Sequence, residues 1–149
     1  SLLMDKLTAK ATKTPCISRP TMFKSIDTLR KKGFITVTPG NRRAGKENLY
    51  KAKPQGTYGL GYTLVSNGAI NGAIDGRVTA GELRLYVLLL KYAYRKGNCY
   101  PSLSTLAKEL RVKPQSVSIQ LKALEQADYI KRSYRLFNGT EKLFIKLLV

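Results

Sequence analysis

The sequence predicts an α+β fold that is mainly α-helical, for three reasons. Apolar residues recur at helical spacing through residues 79–127, and an Asn-Gly pair further on divides two apolar, β-rich runs. These two patterns predict three helices followed by a β-hairpin. In addition, residues 17–35 align with residues 112–130 at a constant offset of 95 without gaps, which predicts that the arrangement occurs twice.

The first helix of the later copy is predicted from its capping residues. Thr79 and Glu82 have the spacing of a capping box, in which the hydroxyl and the carboxylate satisfy each other's backbone donors. Apolar residues continue at helical spacing to Tyr94, and Gly97 is expected to end the helix. The preceding residues 57–75 are rich in glycine, which predicts a short strand and a loop.

A second and a third helix follow, separated by a short turn. The second helix starts at Pro101-Ser102, and Pro114 is favoured in the first turn of the third, which extends to about Ala127. The apolar positions expected to face the core are Leu103, Leu106, Ala107 and Leu110 in the second helix and Val117, Leu121 and Leu124 in the third.

The end of the chain is predicted to form a hairpin around Asn138-Gly139, a pair that favours the positive φ angles of a type I′ turn. A two-residue turn places Arg135 opposite Lys142 and Lys131 opposite Lys146 on one face. Like charges in opposite positions destabilise a hairpin, so this face is predicted to bind anions. A register shift of one residue would remove the face. Tyr134 with Leu143 and Ile130 with Leu147 share the other face.

The order helix, helix, short turn, helix and hairpin is that of a winged helix-turn-helix. The repeat predicts an earlier, abbreviated copy, with a helix over residues 4–13 and strands over residues 34–38 and 49–52. Any amphipathic helix that leads into a strand shares part of this spacing, but here the flanks agree as well. The apolar pairs in register are Ile17 with Val112, Met22 with Val117, Ile26 with Leu121, Leu29 with Leu124, Phe34 with Tyr129 and Ile35 with Ile130.

The earlier copy lacks room for a full opening helix. Its core must therefore be completed by Leu2 and Leu3, by the linker or by another subunit. Because Leu29 and Leu124 occupy the same position of the repeat, both are expected to be buried.

The sequence thus predicts two tandem winged helix-turn-helix units, the first abbreviated at its N-terminus. Residues 1–55 form the first unit, residues 56–78 a linker with a short strand and loop, and residues 79–149 the second unit. The linker is assigned from the proline and three glycines between residues 54 and 61, and from the tetrapeptide Asn-Gly-Ala-Ile, which occurs twice in succession from residue 67.

The charge of the chain is strongly basic. Lys and Arg total 27 against 9 Asp and Glu, a formal net charge of +18, whereas a small domain usually carries about 2–8 charges. Self-repulsion of this size costs stability. A polyanionic partner best explains the excess of positive charge. Nucleic acid is the first candidate, because neutralising phosphates releases counterions. A ribosomal-type or membrane-surface protein is the alternative.

Composition excludes several kinds of chemistry. The sequence has no His, which excludes His-dependent nucleophilic catalysis and His-ligated metals. Cys16 and Cys99 are too few for a structural zinc site and indicate reduced thiols in the cytoplasm. The acidic residues are scattered, and no Tyr has a recognisable nucleophile setting. We therefore expect no enzyme activity, no metal, no cofactor and, without an apolar run of ~18 residues, no membrane span.

Residues 79–130 resemble winged helix-turn-helix domains of bacterial, phage and plasmid replication initiators, replication organisers and transcription regulators. The resemblance covers about a third of the chain, and the repeat extends it weakly to residues 2–53. It implies the fold and DNA binding. At Asp128 the sequence departs from the family pattern, which usually has Gly there. The motifs are the apolar helix from Glu82, Tyr100-Pro-Ser-Leu-Ser-Thr-Leu-Ala-Lys-Glu-Leu110, Val112-Lys-Pro-Gln-Ser-Val117, Leu121-Lys-Ala-Leu124 and Asp128-Tyr-Ile130.

The candidate contacts to DNA follow from the helix-turn-helix, in which the start of the recognition helix meets base edges in the major groove. Gln115 can pair with adenine, Arg19 with guanine, and Ile119 can touch a thymine methyl. Helix capping explains Ser18 better than base contact, and Phe23 fits the core or an interface. The candidates are Lys113, Gln115, Ser116, Ser118, Ile119 and Lys122 in the second unit and Ser18, Arg19, Thr21, Lys24 and Thr28 in the first.

The wings supply a second set of candidates. Arg42, Arg43 and Lys46 lie near the tip of the first wing loop, residues 39–48, where arginines commonly enter a minor groove or bind phosphate. A solvated loop charge is the alternative for these residues. The second wing adds Lys131, Arg135 and Lys142.

These observations predict a sequence-specific protein that binds double-stranded DNA during replication or maintenance of a plasmid, phage or mobile element. No sensor segment is evident, which disfavours an effector-regulated repressor, although transcriptional regulation remains an alternative. A protein-interaction adaptor is a further alternative, and its sign would be exposed apolar patches in place of basic recognition helices. A homodimer and other replication proteins are additional candidate partners.

Overall fold

The computed structural model describes residues 18–53, 63–94 and 96–149. The first of these ranges falls in one compact unit, here the N-terminal unit, and the other two fall in a second, here the C-terminal unit. The predictions outside the described residues concern Leu2, Leu3, the helix over residues 4–13, Cys16, Ile17 and the linker residues 54–62.

Residues 18–53 of the N-terminal unit form one helix and a two-stranded hairpin. Helix α1 spans Arg19–Lys31. Strands β1 (Ile35–Thr38) and β2 (Leu49–Ala52) pair antiparallel. The loop between them contains a single 3₁₀ turn, Arg42–Ala44. A helix followed by a hairpin is the order that the sequence predicts here.

The described residues of the C-terminal unit form four helices and a three-stranded antiparallel sheet. The helices are α2 (Asn67–Ile74), α3 (Ala80–Ala93), α4 (Leu103–Leu110) and α5 (Pro114–Gln126). The strands are β3 (Asn98–Cys99), β4 (Ile130–Phe137) and β5 (Thr140–Leu147). They lie in the order β3-β5-β4. From α3 onwards, this is the architecture of a winged helix-turn-helix.

The core of the C-terminal unit lies where α5 packs against α3 and α4. Val117, Leu121 and Leu124 of α5 are fully buried, as their spacing predicts. In α4, Leu106, Ala107 and Leu110 are buried and Leu103 is half-buried. The capping box of α3 is present, with the Glu82 carboxylate accepting from the Thr79 backbone N–H at 2.8 Å. The predicted α4 and α5 and their inward faces are therefore confirmed, whereas in α3 the buried residues are Leu85, Tyr86, Leu89 and Ala93 and Tyr94 is exposed.

The prediction of strand and loop for residues 57–75 is wrong where the structure describes them. Residues 63–66 form no strand, and the duplicated tetrapeptide forms helix α2, capped by the Ser66 hydroxyl, which accepts from Ala69 N at 3.1 Å. The four-residue repeat places Ala69 and Ala73 on one face, and this face packs on the core. Small residues that suggested a loop are the contact surface of a helix.

Helix α3 also ends earlier than predicted, at Ala93 instead of near Gly97. Tyr94 adopts a left-handed conformation with φ 34° and terminates the helix. The chain has to turn at this point because β3 pairs with β5, and the Gly97 carbonyl already accepts a hydrogen bond from Leu147 N at 2.8 Å. Hydrogen bonding to the sheet thus begins at Gly97, the residue that was expected to end the helix.

The hairpin has the predicted turn and register. Asn138 and Gly139 both have positive φ, 51° and 75°. Arg135 lies opposite Lys142 and Lys131 opposite Lys146, while Tyr134 with Leu143 and Ile130 with Leu147 fall on the other face. The basic face that a one-residue slip would have removed is present.

Helices α1 and α5 have the same length of 13 residues, and their bounds differ by the offset of the repeat. Two residues after the last helical residue each has a left-handed residue, Gly33 with φ 78° and Asp128 with φ 60°. Asp is one of the few side chains that tolerate this conformation, which accounts for the departure from the family's Gly. The following hydrogen bonds match as well, since Phe34 N and Tyr129 N each donate at 2.9 Å to the helix.

The burial of the two copies differs. Leu124 is fully buried, whereas Leu29 at the equivalent position is 41% exposed, so its predicted burial is wrong. Within residues 18–53 no residue is buried. The reason is that this range contains no helices equivalent to α3 and α4 to cover the apolar side of α1.

Candidate nucleic-acid interface

The turn between α4 and α5 fixes the direction of the recognition helix. It consists of residues 111–113 and begins with Arg111 in a left-handed conformation, φ 56°. Val112 N donates to the Ala107 carbonyl at 3.0 Å, and the Arg84 guanidinium donates to the Leu110 carbonyl at 2.6 Å. A backbone N–H and a side chain thus both donate to carbonyl groups at the end of α4. Helix α5 starts directly after the turn, with Pro114.

The side of α5 that faces away from the core carries most of the predicted base contacts. Gln115 and Ile119 are exposed, Ile119 to 70%. Lys113, which precedes the helix, makes no capping hydrogen bond with its side chain. Ser116 departs from the prediction, because it is half-buried at the edge of this surface. Ser118 and Lys122 are exposed.

The hydroxyl candidates of α1 are engaged in local hydrogen bonds. The Ser18 hydroxyl caps the helix by accepting from Thr21 N at 3.4 Å, which confirms capping as its role. The Thr21 and Ser18 hydroxyls are 2.8 Å apart, and the Thr28 hydroxyl donates to the Lys24 carbonyl at 2.8 Å. Arg19 and the Lys24 side chain, by contrast, are exposed.

The wing loop of the N-terminal unit has a defined conformation. The Asn41 side chain caps the 3₁₀ turn by accepting from Arg43 N at 3.1 Å, and the Asn48 side chain accepts from Gly40 N at 2.9 Å. Arg42 and Lys46 of this loop and Arg19 of α1 line one cavity of about 540 Å³. The fold therefore brings together candidates that the sequence assigned separately to helix and wing, with Arg43 in the same 3₁₀ turn.

The wing of the C-terminal unit combines cations with aromatic rings. Lys131, Arg135 and Lys142 are exposed on one face of the sheet. The Arg135 guanidinium lies 3.8 Å from the centre of the Phe144 ring, and Lys142 Nζ lies 5.4 Å from that of Phe137. Our sequence reasoning missed these two rings, although the predicted register already places residues 137 and 144 on the basic face.

A salt bridge joins this wing to the recognition helix. The Glu125 carboxylate of α5 accepts from Arg132 N at 3.0 Å and from the Arg132 guanidinium at 2.9 and 2.8 Å. The Arg132 backbone N–H and then its guanidinium hold the pKa of Glu125 below its ordinary value. Glu125, the one carboxylate of α5, is thus paired with Arg132, and the one cation of the helix, Lys122, stays exposed.

Two further observations bear on chemistry. Cys99 lies buried in β3, and burial raises the pKa of its thiol to about 11, so this thiol stays protonated at neutral pH. In the described part of the chain, no group of three or more His, Cys, Asp or Glu is placed to hold a metal ion. No helix among the same residues is long and apolar enough to cross a membrane.

The helix pair with its three-residue turn, the exposed polar side of α5 and the basic wing define a winged helix-turn-helix. A family model described as a helix-turn-helix domain matches residues 77–130, from just before α3 to the start of β4. This part of the chain is therefore a winged helix-turn-helix DNA-binding domain.

Comparison with solved structures gives a match to a protein from Methanosarcina mazei Go1 that is named as a possible transcriptional regulator. The two chains are 18% identical, with a TM-score of 0.40, and the match covers 59% of this chain and 75% of the other. No curated protein matches the sequence.

Proposed function

We propose that the chain binds double-stranded DNA sequence-specifically through two tandem winged helix-turn-helix units. The observation that carries this proposal is the solvent-facing side of α5, where Gln115 and Lys122 are exposed beside a basic wing. In a helix-turn-helix this side enters the major groove, where a Gln side chain can pair with adenine. Phosphate contacts from the wing would fix the position of the helix on the duplex.

The second recognition element of the proposal is α1. Helix α1 repeats α5 in its bounds, in the left-handed residue after its C-terminus and in the hairpin that follows. Arg19 in its first turn and Arg42 and Lys46 of the wing loop border one cavity, an arrangement that suits a negatively charged backbone. The net charge, +10 in residues 1–55 and +8 in residues 56–149, also favours two contact regions.

The biological process in which the chain binds DNA is a further part of the proposal. We propose replication or maintenance of a plasmid, phage or mobile element, on the strength of the resemblance of residues 79–130, with transcriptional regulation as the alternative. The location that follows from a DNA partner is the cytoplasm. A binding role without catalysis fits a sequence that lacks His and has scattered carboxylates.

A protein-interaction adaptor is the second candidate function. It is favoured by the apolar side chains that α1 and its hairpin expose, among them Phe23, Leu29 and Phe34. An adaptor would bind a protein through this surface and would not need to bind duplex DNA. Duplex binding by the chain separates this candidate from the first.

The test starts with selection of bound duplexes from a random pool, followed by binding titrations with the enriched duplex and a scrambled one. Gln115→Ala should cost ~1–3 kcal/mol on the enriched duplex and little on the scrambled one, because it removes a base contact. Gln126→Ala is the matched control, since this glutamine is also exposed but lies at the other end of α5. Equal losses for both variants would contradict the placement of the recognition helix.

The same titrations test the wing loop and the role of charge. If Arg42 and Arg43 contact phosphates, Arg42→Ala and Arg43→Ala should weaken binding to both duplexes equally and flatten its salt dependence. If they enter a minor groove, the same variants should weaken binding to A·T-rich duplexes most.

The salt dependence of the unmodified chain is a separate test. With ~6–10 phosphate contacts, affinity should fall ~10³–10⁵-fold between about 50 and 200 mM salt. Absence of duplex binding, or binding that salt does not weaken, would refute the proposal and leave the adaptor.

A further inference from the structure

The outer face of the sheet in the C-terminal unit carries more than duplex binding requires. In the β4–β5 register, this face presents four cations and two phenylalanines, and Tyr100 follows directly after β3 at its edge. Phosphates need only the cations. We call the surface the aromatic basic face, and its members are Tyr100, Lys131, Arg135, Phe137, Lys142, Phe144 and Lys146.

The rings and cations of this face surround a cavity. Tyr100, Arg135, Phe137, Lys142 and Phe144 line a space of about 340 Å³, within the range of about 300–1,000 Å³ for ligand pockets. Tyr100 is 69% exposed and Phe137 is 64% exposed, so both rings present open surface. The guanidinium of Arg135 lies 3.8 Å from the centre of the Phe144 ring, and Arg135 is itself exposed. Bases stack on such guanidinium planes as well as on aromatic rings.

The charge of the face restricts what can occupy it. Arg135 opposes Lys142 and Lys131 opposes Lys146, and like charges in opposite positions destabilise the hairpin. The hairpin's one carboxylate, Glu141, pairs with Leu136 and so belongs to the opposite face. None of the four cations forms an ion pair with a residue that the structure describes. An anionic ligand with flat rings fits this surface.

We propose that the aromatic basic face binds single-stranded DNA, with an unpaired base stacked on Phe137 or Tyr100 and the neighbouring phosphates on Arg135 and Lys142. This inference rests on the proposed contact between the wing and nucleic acid, and it specifies the form of that nucleic acid. In a duplex the faces of each base are covered by its neighbours, so open rings can stack only on unpaired bases. Basic grooves with exposed aromatic residues are the common solution for binding single strands.

The position of the face determines where the single strand lies. The Glu125–Arg132 pair joins β4 to α5, so the hairpin is held beside the recognition helix, while Arg132 itself lies on the opposite face of the hairpin from Arg135 and Lys142. We expect the single-stranded extension of a duplex bound by α5 to pass around the hairpin onto the aromatic basic face. The ligand that fits the whole unit is a junction between duplex and single strand.

Three probes test the inference: the selected duplex, the same duplex with a single-stranded tail of ten thymidines, and the free ten-thymidine strand. The unmodified chain should bind the tailed duplex at least tenfold more tightly than the blunt one. Phe137→Ala should reduce this gain by about 5- to 100-fold, the loss expected for one base–aromatic stack. The affinity of Phe137→Ala for the blunt duplex should stay within twofold.

Tyr134→Ala is the matched control. Tyr134 is an aromatic residue of the same strand with the same 64% exposure as Phe137, but it lies on the opposite face of the hairpin. It should leave all three affinities unchanged. Equal effects of the two variants, or no gain from the tail, would overturn the inference even if duplex binding is strong.

Photochemical cross-linking of the unmodified chain avoids dependence on variants. A tailed duplex with 5-bromodeoxyuridine in the tail should cross-link to peptides that contain Tyr100, Phe137 or Phe144, located by mass spectrometry. Cross-links confined to other peptides would overturn the inference. Binding and cross-linking of the free strand without any duplex binding would support the aromatic basic face and refute the proposed duplex recognition, so the two failures are distinguishable.

Discussion

Single residues of the C-terminal unit show how closely its small and aromatic side chains fit. The Tyr129 hydroxyl donates to the Ala69 carbonyl at 2.7 Å, and the Tyr129 ring meets Tyr86 edge to face with 5.1 Å between ring centres. Both rings are buried. The sequence predicts Tyr129 as the start of the hairpin, but it cannot predict these partners because they come from α2 and α3, which are remote in sequence.

The two glycines of the duplicated tetrapeptide give a prediction at this scale. A Cβ on Gly72 would overlap the Tyr129 hydroxyl, whereas one on Gly68 would make an ordinary 3.5 Å contact with Val149. Gly72→Ala should therefore lower the free energy of unfolding by about 1–3 kcal/mol through overpacking. Gly68→Ala should raise it by up to about 1 kcal/mol through helix propensity. Urea denaturation of both variants checks this, and effects of the same sign would contradict the packing of α2 on Tyr129.

At the scale of elements, local signals predicted the hairpin better than the contacts between hairpin and helix. The two-residue Asn138-Gly139 turn determines every cross-strand pair, so the basic face followed from the sequence. The Glu125–Arg132 pair did not, because it depends on the angle at which β4 leaves α5. Helix α2 was not predicted from the sequence for a related reason. Its glycines and alanines favour a loop unless other elements provide a surface on which they can pack.

The Glu125–Arg132 pair makes the attachment of the wing dependent on pH. Arg132 lowers the pKa of Glu125, so the pair stabilises the fold above the unfolded-state value of about 4.3 and this stability is lost as the pH falls through the lower folded-state value. Because both side chains are partly exposed, the contribution should be about 1 kcal/mol. Glu125→Gln should therefore reduce the free energy of unfolding at pH 6, and the difference from the unmodified chain should shrink at pH 3.

Denaturation at the two pH values measures this difference directly. Other carboxylates titrate in the same window, since Lys31 lowers the pKa of Asp27 and Tyr92 that of Glu109, and only the comparison with the variant isolates Glu125. Glu141→Gln is the control, because Glu141 makes no ion pair with the described residues. A difference that is the same at pH 6 and pH 3 would show that the pair does not stabilise the wing.

For the whole molecule, the repeat predicted where α1 begins and ends but not how it is packed. Helix bounds depend on local residues such as Ser18 and Gly33, which the sequence displays directly. Burial depends on what other segments supply, and the C-terminal unit supplies α3 and α4 to α5. The same apolar pattern therefore gives a closed core in one unit, whereas in the other the described residues leave the apolar side of α1 exposed.

Equivalent leucines test this contrast. Leu124→Ala should lower the free energy of unfolding of the C-terminal unit by ~2–5 kcal/mol, because Leu124 is fully buried. Leu29→Ala should cost under ~1 kcal/mol, because its side chain is 41% exposed and loses little buried area. Chemical denaturation of both variants at low protein concentration gives the comparison. A loss at Leu29 as large as that at Leu124 would mean that the apolar side of α1 is covered in solution.

The opposed cations of the hairpin couple its rigidity to its ligands. Repulsion of Arg135 by Lys142 and of Lys131 by Lys146 weakens strand pairing in the free protein, and any bound polyanion removes that repulsion. By thermodynamic linkage, an anion that stabilises the closed hairpin binds more tightly to the closed hairpin than to the open one. The amide hydrogens of β4 and β5 should thus exchange with solvent fastest in the ligand-free protein. We therefore expect the paired strands of the hairpin to separate more often in the free protein than in a complex with a polyanion.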